Sequence, residues 1–80
     1  MHFVYVIRSI ADSRHIYVGY TSRLDARLNQ HNKGGSAHTR KYRPWALEWY
    51  SAFPDKGKAL EFEAYLKSHS GKAFLHKRLI

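Results

Sequence analysis

The chain has 80 residues, with 14 Lys and Arg against 6 Asp and Glu, a formal net charge of +8, and no cysteine. A chain near this size buries only about 60–70% of its unfolded surface, which leaves room for one thin core and none for a second. The missing cysteines exclude disulfides and thiolate metal sites, no apolar run approaches the ~20 residues of a membrane span, and the positive surplus points to a polyanionic partner. The basic residues are spread over the whole chain rather than gathered on one face of an amphipathic helix, which favours nucleic acid over a membrane surface. An intracellular, cytoplasmic protein is the expectation.

Phe3 to Arg8 is apolar on both alternating faces and predicts a central strand covered above and below. His15 to Tyr20 is a second β-rich run behind a polar connection containing Asp12 and Ser13, so the pair reads as an antiparallel hairpin that brings Tyr5 and Tyr17 within reach. Ser22 is placed to cap a helix with Asp25 at its N3 position, and Gly34 to end it. Trp45 to Phe53 alternates after Pro44 and predicts the third strand. Pro54 and Asp55 open a second helix running to about Ser70-Gly71, and a short terminal helix carries Phe74, Leu75 and Leu79. The expected fold is α/β of the α+β type: a three-stranded antiparallel sheet flanked by helices in the order ββαβαα, with residues 1–80 as one domain.

Helical angle sharpens the functional reading. At about 100° per residue, Arg27 and His31 share one sector of the first helix with Leu24 and Leu28. A guanidinium cannot shed its proton, so on an inward stripe it needs a carboxylate or a bound phosphate. On the second helix Glu63 falls among Ala59, Phe62 and Leu66, while Glu61 points away. Tyr5, Tyr17, Arg27, His31 and Glu63 together form a candidate phosphodiester-cleaving site, with cation and anion both directed at the strand tyrosines. Each has an ordinary alternative: strand aromatics, a snorkelling arginine, a histidine at a helix C-terminus, a Glu63–Lys67 surface pair. Their joint spacing favours the site. Lys33, Arg40, Lys41 and Arg43 supply a mobile basic rim for phosphates, with Tyr42 placed to stack on a base, against the alternative of a solvated loop. Lys72, His76, Lys77 and Arg78 read as a solvated helix face, and His38, His69 and His76 lack zinc-site spacing.

Phe3-Val4-Tyr5 and Tyr17-Val18-Gly19 are followed by Thr21-Ser22, Arg27-Leu28, His31-Asn32, a Gly34 to Pro44 loop with Thr39-Arg40, and Ala59-Leu60 through Lys67. In order and spacing this set resembles the GIY-YIG nuclease superfamily, and within it small stand-alone bacterial proteins similar to the nuclease domain of the bacterial excision-repair endonuclease. The resemblance spans nearly the whole chain. Phe3-Val4 stands where the family motif has Gly-Ile, and no asparagine follows Asn32, although many members carry a further polar residue beyond the metal-binding acid.

The resemblance implies a divalent-metal-dependent endonuclease that hydrolyses DNA phosphodiester bonds, including structured or damaged DNA of the kind met in DNA repair. Glu63 would anchor Mg²⁺ or Mn²⁺, which favour few carboxylates and several waters. Tyr5 would deprotonate the attacking water and pass its phenolic proton to His31. Tyr17 would orient the water or the scissile phosphate, Arg27 would stabilise the developing charge, and Gly19 would let the nucleic-acid backbone approach closely. The alternative is a catalytically weak nucleic-acid-binding module of the same fold; an RNA-associated accessory protein is a third reading. DNA is the expected partner, with RNA the other candidate and no membrane. A targeting partner or a homodimer would have to supply sequence specificity.

Overall fold

The computed structural model describes residues 1–80. The apolar amino-terminal run forms β1 (His2–Ser9), the middle strand of a three-stranded antiparallel sheet with β2 (Ile16–Thr21) on one side and β3 (Trp45–Phe53) on the other. Its alternation explains its place. Val4 and Val6 join Val18, Ala59, Leu66 and Leu75 in one core cluster, whereas Tyr5 and Ile7 join Trp45 in another. A strand buried on both faces must be apolar at successive positions.

Leu24 and Leu28 of α1 (Leu24–Asn32) pack on the Tyr5 cluster. Ala59, Phe62 and Leu66 of α2 (Lys56–Lys67) pack on the other cluster. A 3₁₀ turn, Arg40–Tyr42, leads into β3, and α3 (His69–Phe74) continues as a π turn over Leu75–Leu79. The helices follow the expected order ββαβαα, and no helix is long and apolar enough to cross a membrane.

Two helix boundaries differ from expectation. Ser22 does not cap α1: Arg23 occupies the cap position without a side-chain bond, and Asp25 accepts from the neighbouring Ala26 N–H at 3.0 Å rather than closing a capping box. Thr21, the last residue of β2, takes over by accepting from the Arg23 N–H at 3.0 Å, so strand and helix join without a Ser22 cap. At the other end Gly34 adopts φ 81° and donates to the His31 carbonyl at 3.1 Å, the left-handed step that favours glycine after a helix.

The second difference is a break in what reads as one helix. Asp55 caps α2 by accepting from the Gly57 N–H at 2.7 Å, but the helix stops at Lys67. Ser68 turns extended, with φ −77° and ψ 166°, and its hydroxyl accepts from the Gly71 N–H at 3.1 Å to start α3. Gly71 is therefore a point of close crossing rather than a helix end. A Cβ there would overlap the Tyr65 carbonyl group and lie 2.8 Å from the Leu66 Cα. Because backbone cannot rotate aside as a side chain can, Gly71→Ala is expected to destabilise the fold by about 1–3 kcal/mol or more, seen as a lower urea midpoint.

Candidate active site

Tyr5 lies opposite Gly19 in the β1–β2 ladder, and its ring leans over that glycine. A Cβ at Gly19 would sit 2.5 Å from the Tyr5 Cζ and closer still to the hydroxyl. This corrects the expectation for Gly19: the room it leaves is filled by Tyr5, so in this structure it serves the tyrosine rather than an approaching nucleic-acid backbone.

One face of α1 delivers two groups to the Tyr5 hydroxyl. His31 Nε2 lies 2.7 Å from the oxygen, and Arg27 Nε donates to it at 3.2 Å. The oxygen accepts from Arg27, so its own proton is directed at His31. The other ring nitrogen, Nδ1, lies 2.6 Å from the Thr39 hydroxyl. With Nε2 accepting, the network assigns the imidazole proton to Nδ1, donating to Thr39.

Thr39 is in turn fixed by its carbonyl, which accepts from the Trp45 indole N–H at 2.8 Å. Asn32 clamps the Trp45 backbone, accepting from its N–H at 2.5 Å and donating to its carbonyl at 3.1 Å. No buried side-chain nitrogen or oxygen lacks a partner. Sequence reasoning passed over Thr39 as a site residue. The signal was its place beside Arg40 in the family-like loop, but only the fold reveals that it is fully buried against His31.

Tyr17, on β2, lies diagonally across the ladder, its ring centroid 6.4 Å from that of Tyr5 and 5.2 Å from the His31 ring in an edge-on contact. Lys67 lies over the Tyr17 ring at 5.6 Å and pairs with the half-buried Glu63 at 3.1 Å. Direct contacts thus gather Tyr5, Tyr17, Arg27 and His31. Glu63 is connected to them through Lys67 and through its charge, which acts on Tyr5.

Burial dominates the ionisation of the pair. It raises the Tyr5 pKa above 10.0 despite the opposing Arg27 hydrogen bond. It also pushes His31 from 6.5 down to about 4, with the Arg27 charge acting in the same direction. At neutral pH His31 is therefore an uncharged proton acceptor.

This depression also ties stability to pH. Between 6.5 and about 4 the unfolded histidine binds a proton that the folded one does not, so stability should fall as pH drops through that window and level off below it. His31 should contribute about 3 kcal/mol to the loss, measurable by urea unfolding across the range and absent in His31→Gln.

The basic rim is more ordered than the sequence suggests. Lys33, Arg40, Lys41 and Arg43 are exposed, but Arg40 donates to the Gly34 carbonyl at 2.9 Å and the segment closes into the 3₁₀ turn. Tyr42 is not a free stacking platform. His15 covers its ring at 3.7 Å and 19°, and Lys41 lies 5.5 Å from its centroid, which corrects the expectation of an unoccupied aromatic face.

No group of three or more His, Asp or Glu side chains is arranged to hold a metal ion. Glu63 offers a single, partly exposed carboxylate. That donor set does not suit zinc, but it fits a hydrated divalent ion that takes most of its ligands from water and phosphate.

The sheet order and the buried tyrosine–histidine pair flanked by arginine place this protein in the class of small α+β proteins with a nuclease fold. The model of the GIY-YIG catalytic domain matches residues 1–78. UPF0213 proteins of Staphylococcus haemolyticus and Staphylococcus aureus are 34% and 33% identical over 70 residues, spanning 86% of this chain and 83% of each relative. The solution NMR structure of a UPF0213 protein from Bacillus halodurans is similar with a TM-score of 0.56 and 34% identity, covering 95% of this chain and 82% of that one. The chain belongs to the GIY-YIG family.

Proposed function

We propose that this protein is a divalent-metal-dependent endonuclease that hydrolyses DNA phosphodiester bonds, with residues 1–80 acting as one catalytic domain in the cytoplasm. The observation that carries the proposal is the Tyr5 hydroxyl held between neutral His31 at 2.7 Å and the Arg27 guanidinium at 3.2 Å. Glu63 would hold the ion, Mg²⁺ or Mn²⁺. When bound, the ion supplies neutralisation of charge on a phosphate oxygen.

The chain's own residues handle the proton and the remaining charge. Burial disfavours a standing phenolate, so Tyr5 takes a proton from water only as its own proton passes to His31. Thr39 keeps the imidazole in the tautomer that can receive it. Arg27 uses one N–H on Tyr5 and one on Gln30 at 2.7 Å, which leaves three of its five donors for phosphate oxygens. Tyr17 borders the same space and orients the substrate. Sequence specificity, where it exists, comes from a partner or a second copy.

The test is incubation of end-labelled DNA and RNA of matched sequence with Mg²⁺, with Mn²⁺ and with EDTA. Products from DNA that require the metal are expected. Tight binding without product from any substrate would replace this proposal with a nucleic-acid-binding module, and faster cleavage of RNA would overturn the choice of DNA.

A further inference from the structure

A crevice of about 450 Å³ lies beside Tyr17, between β2 and the helices α2 and α3, on the side of β2 that has no strand neighbour. Its mouth carries Arg14, His15, Lys67, Lys72 and His76, and no acidic residue lines it. The cations differ in commitment. Arg14 is tied to Asp12 at 2.8 Å and Lys67 to Glu63 at 3.1 Å, whereas Lys72 is exposed and forms no ion pair. Through its stack on Tyr42 at 3.7 Å, His15 also joins the crevice to the basic Arg40–Tyr42 turn. Basic groups therefore line a continuous path from that turn, past Tyr17, to α3.

We propose that this crevice is a second phosphodiester subsite, in which Lys72 and Arg14 hold a phosphate adjacent to the one presented to Tyr17 and Arg27. A strand bound this way runs along the open side of β2. The assignment rests on the nuclease proposal for the identity of the polyanion, but the site is defined by its own residues. It also changes the meaning of Lys72 and His76, which in sequence read as part of a solvated helix face. A backbone with regularly spaced phosphates suits separated cations around a small mouth, because each phosphate contact adds a salt-sensitive increment without requiring a base contact.

The test measures binding of a fluorescent DNA oligonucleotide in EDTA, so that cleavage does not intervene, across a series of salt concentrations. Lys72→Ala and Arg14→Ala should each weaken binding by on the order of fivefold to tenfold near 0.1 M salt and lower the salt slope by about one. Lys58→Ala, an exposed α2 change outside the crevice, should leave both within twofold. Inorganic phosphate should shift the amide resonances of Tyr17, Lys72 and His76.

Unchanged affinity and slope in both crevice variants would overturn the subsite, as would phosphate shifts confined to Lys33–Gly35 and Arg40–Arg43. Equal competition by an oligoglutamate of matched charge would overturn the assignment to phosphate. Failure of the nuclease proposal is distinguishable: the wild type would then bind through Lys72 and Arg14 and yield no metal-dependent product.

Discussion

Arg27→Ala should slow DNA cleavage by about 10²- to 10³-fold, the loss typical of removing one donor from developing transition-state charge. The side chain is half-buried, held by Tyr5 at 3.2 Å and Gln30 at 2.7 Å, so its remaining donors are presented in a fixed direction. Arg27→Lys should not restore the rate. An ammonium has three donors on a flexible stem and cannot bridge Tyr5 and Gln30 while keeping a planar pair for phosphate. Arg27→Ala should also raise the His31 pKa part of the way from about 4, because burial, the larger cause, remains when the charge is removed. Single-turnover kinetics check the first effect and an NMR titration of the imidazole the second. A rate within threefold of wild type would remove Arg27 from the chemistry.

Gly19→Ala should damage fold and site together. The added methyl carbon would fall 2.5 Å from the Tyr5 Cζ and 2.9 Å from Cε1. Tyr5 has little freedom to yield, being 1% exposed and packed in the Ile7–Trp45 cluster with its hydroxyl bound to His31. The clash is expected to destabilise by about 1–3 kcal/mol and to break the Tyr5–His31 hydrogen bond. The surviving folded protein should therefore lose at least tenfold in cleavage rate, more than its folded fraction explains. Adding Tyr5→Phe should recover little stability, because the ring carbons clash as well as the oxygen. Urea unfolding and active-fraction-corrected rates test the two parts separately.

Much of this was legible in the sequence where a period carries the information. β1 reads as central because Val4 and Val6 alternate with Tyr5 and Ile7, leaving no polar face, and β3 begins after Pro44 where alternation starts. The helical period likewise puts Arg27 and His31 on the face of α1 that meets Tyr5.

The features that were not legible depend on contacts without a period. Ser68 resembles a helix interior residue until α3 crosses the end of α2 closely enough to need Gly71. Thr39 is an unremarkable loop residue until the turn before β3 folds it beneath His31. Gly19 shows its role only when the lean of the Tyr5 ring across the ladder is known.

The most direct test is single-turnover cleavage of labelled DNA by Glu63→Gln in saturating Mg²⁺, with binding measured in parallel. The change keeps the side chain's size and removes the charge that pairs with Lys67 and would hold the ion. Retained binding with cleavage reduced by at least about 10³-fold is the predicted result, given the several kcal/mol a catalytic metal supplies. Cleavage at the wild-type rate would contradict a metal-dependent hydrolytic centre built on Glu63 beside Tyr5, His31 and Arg27.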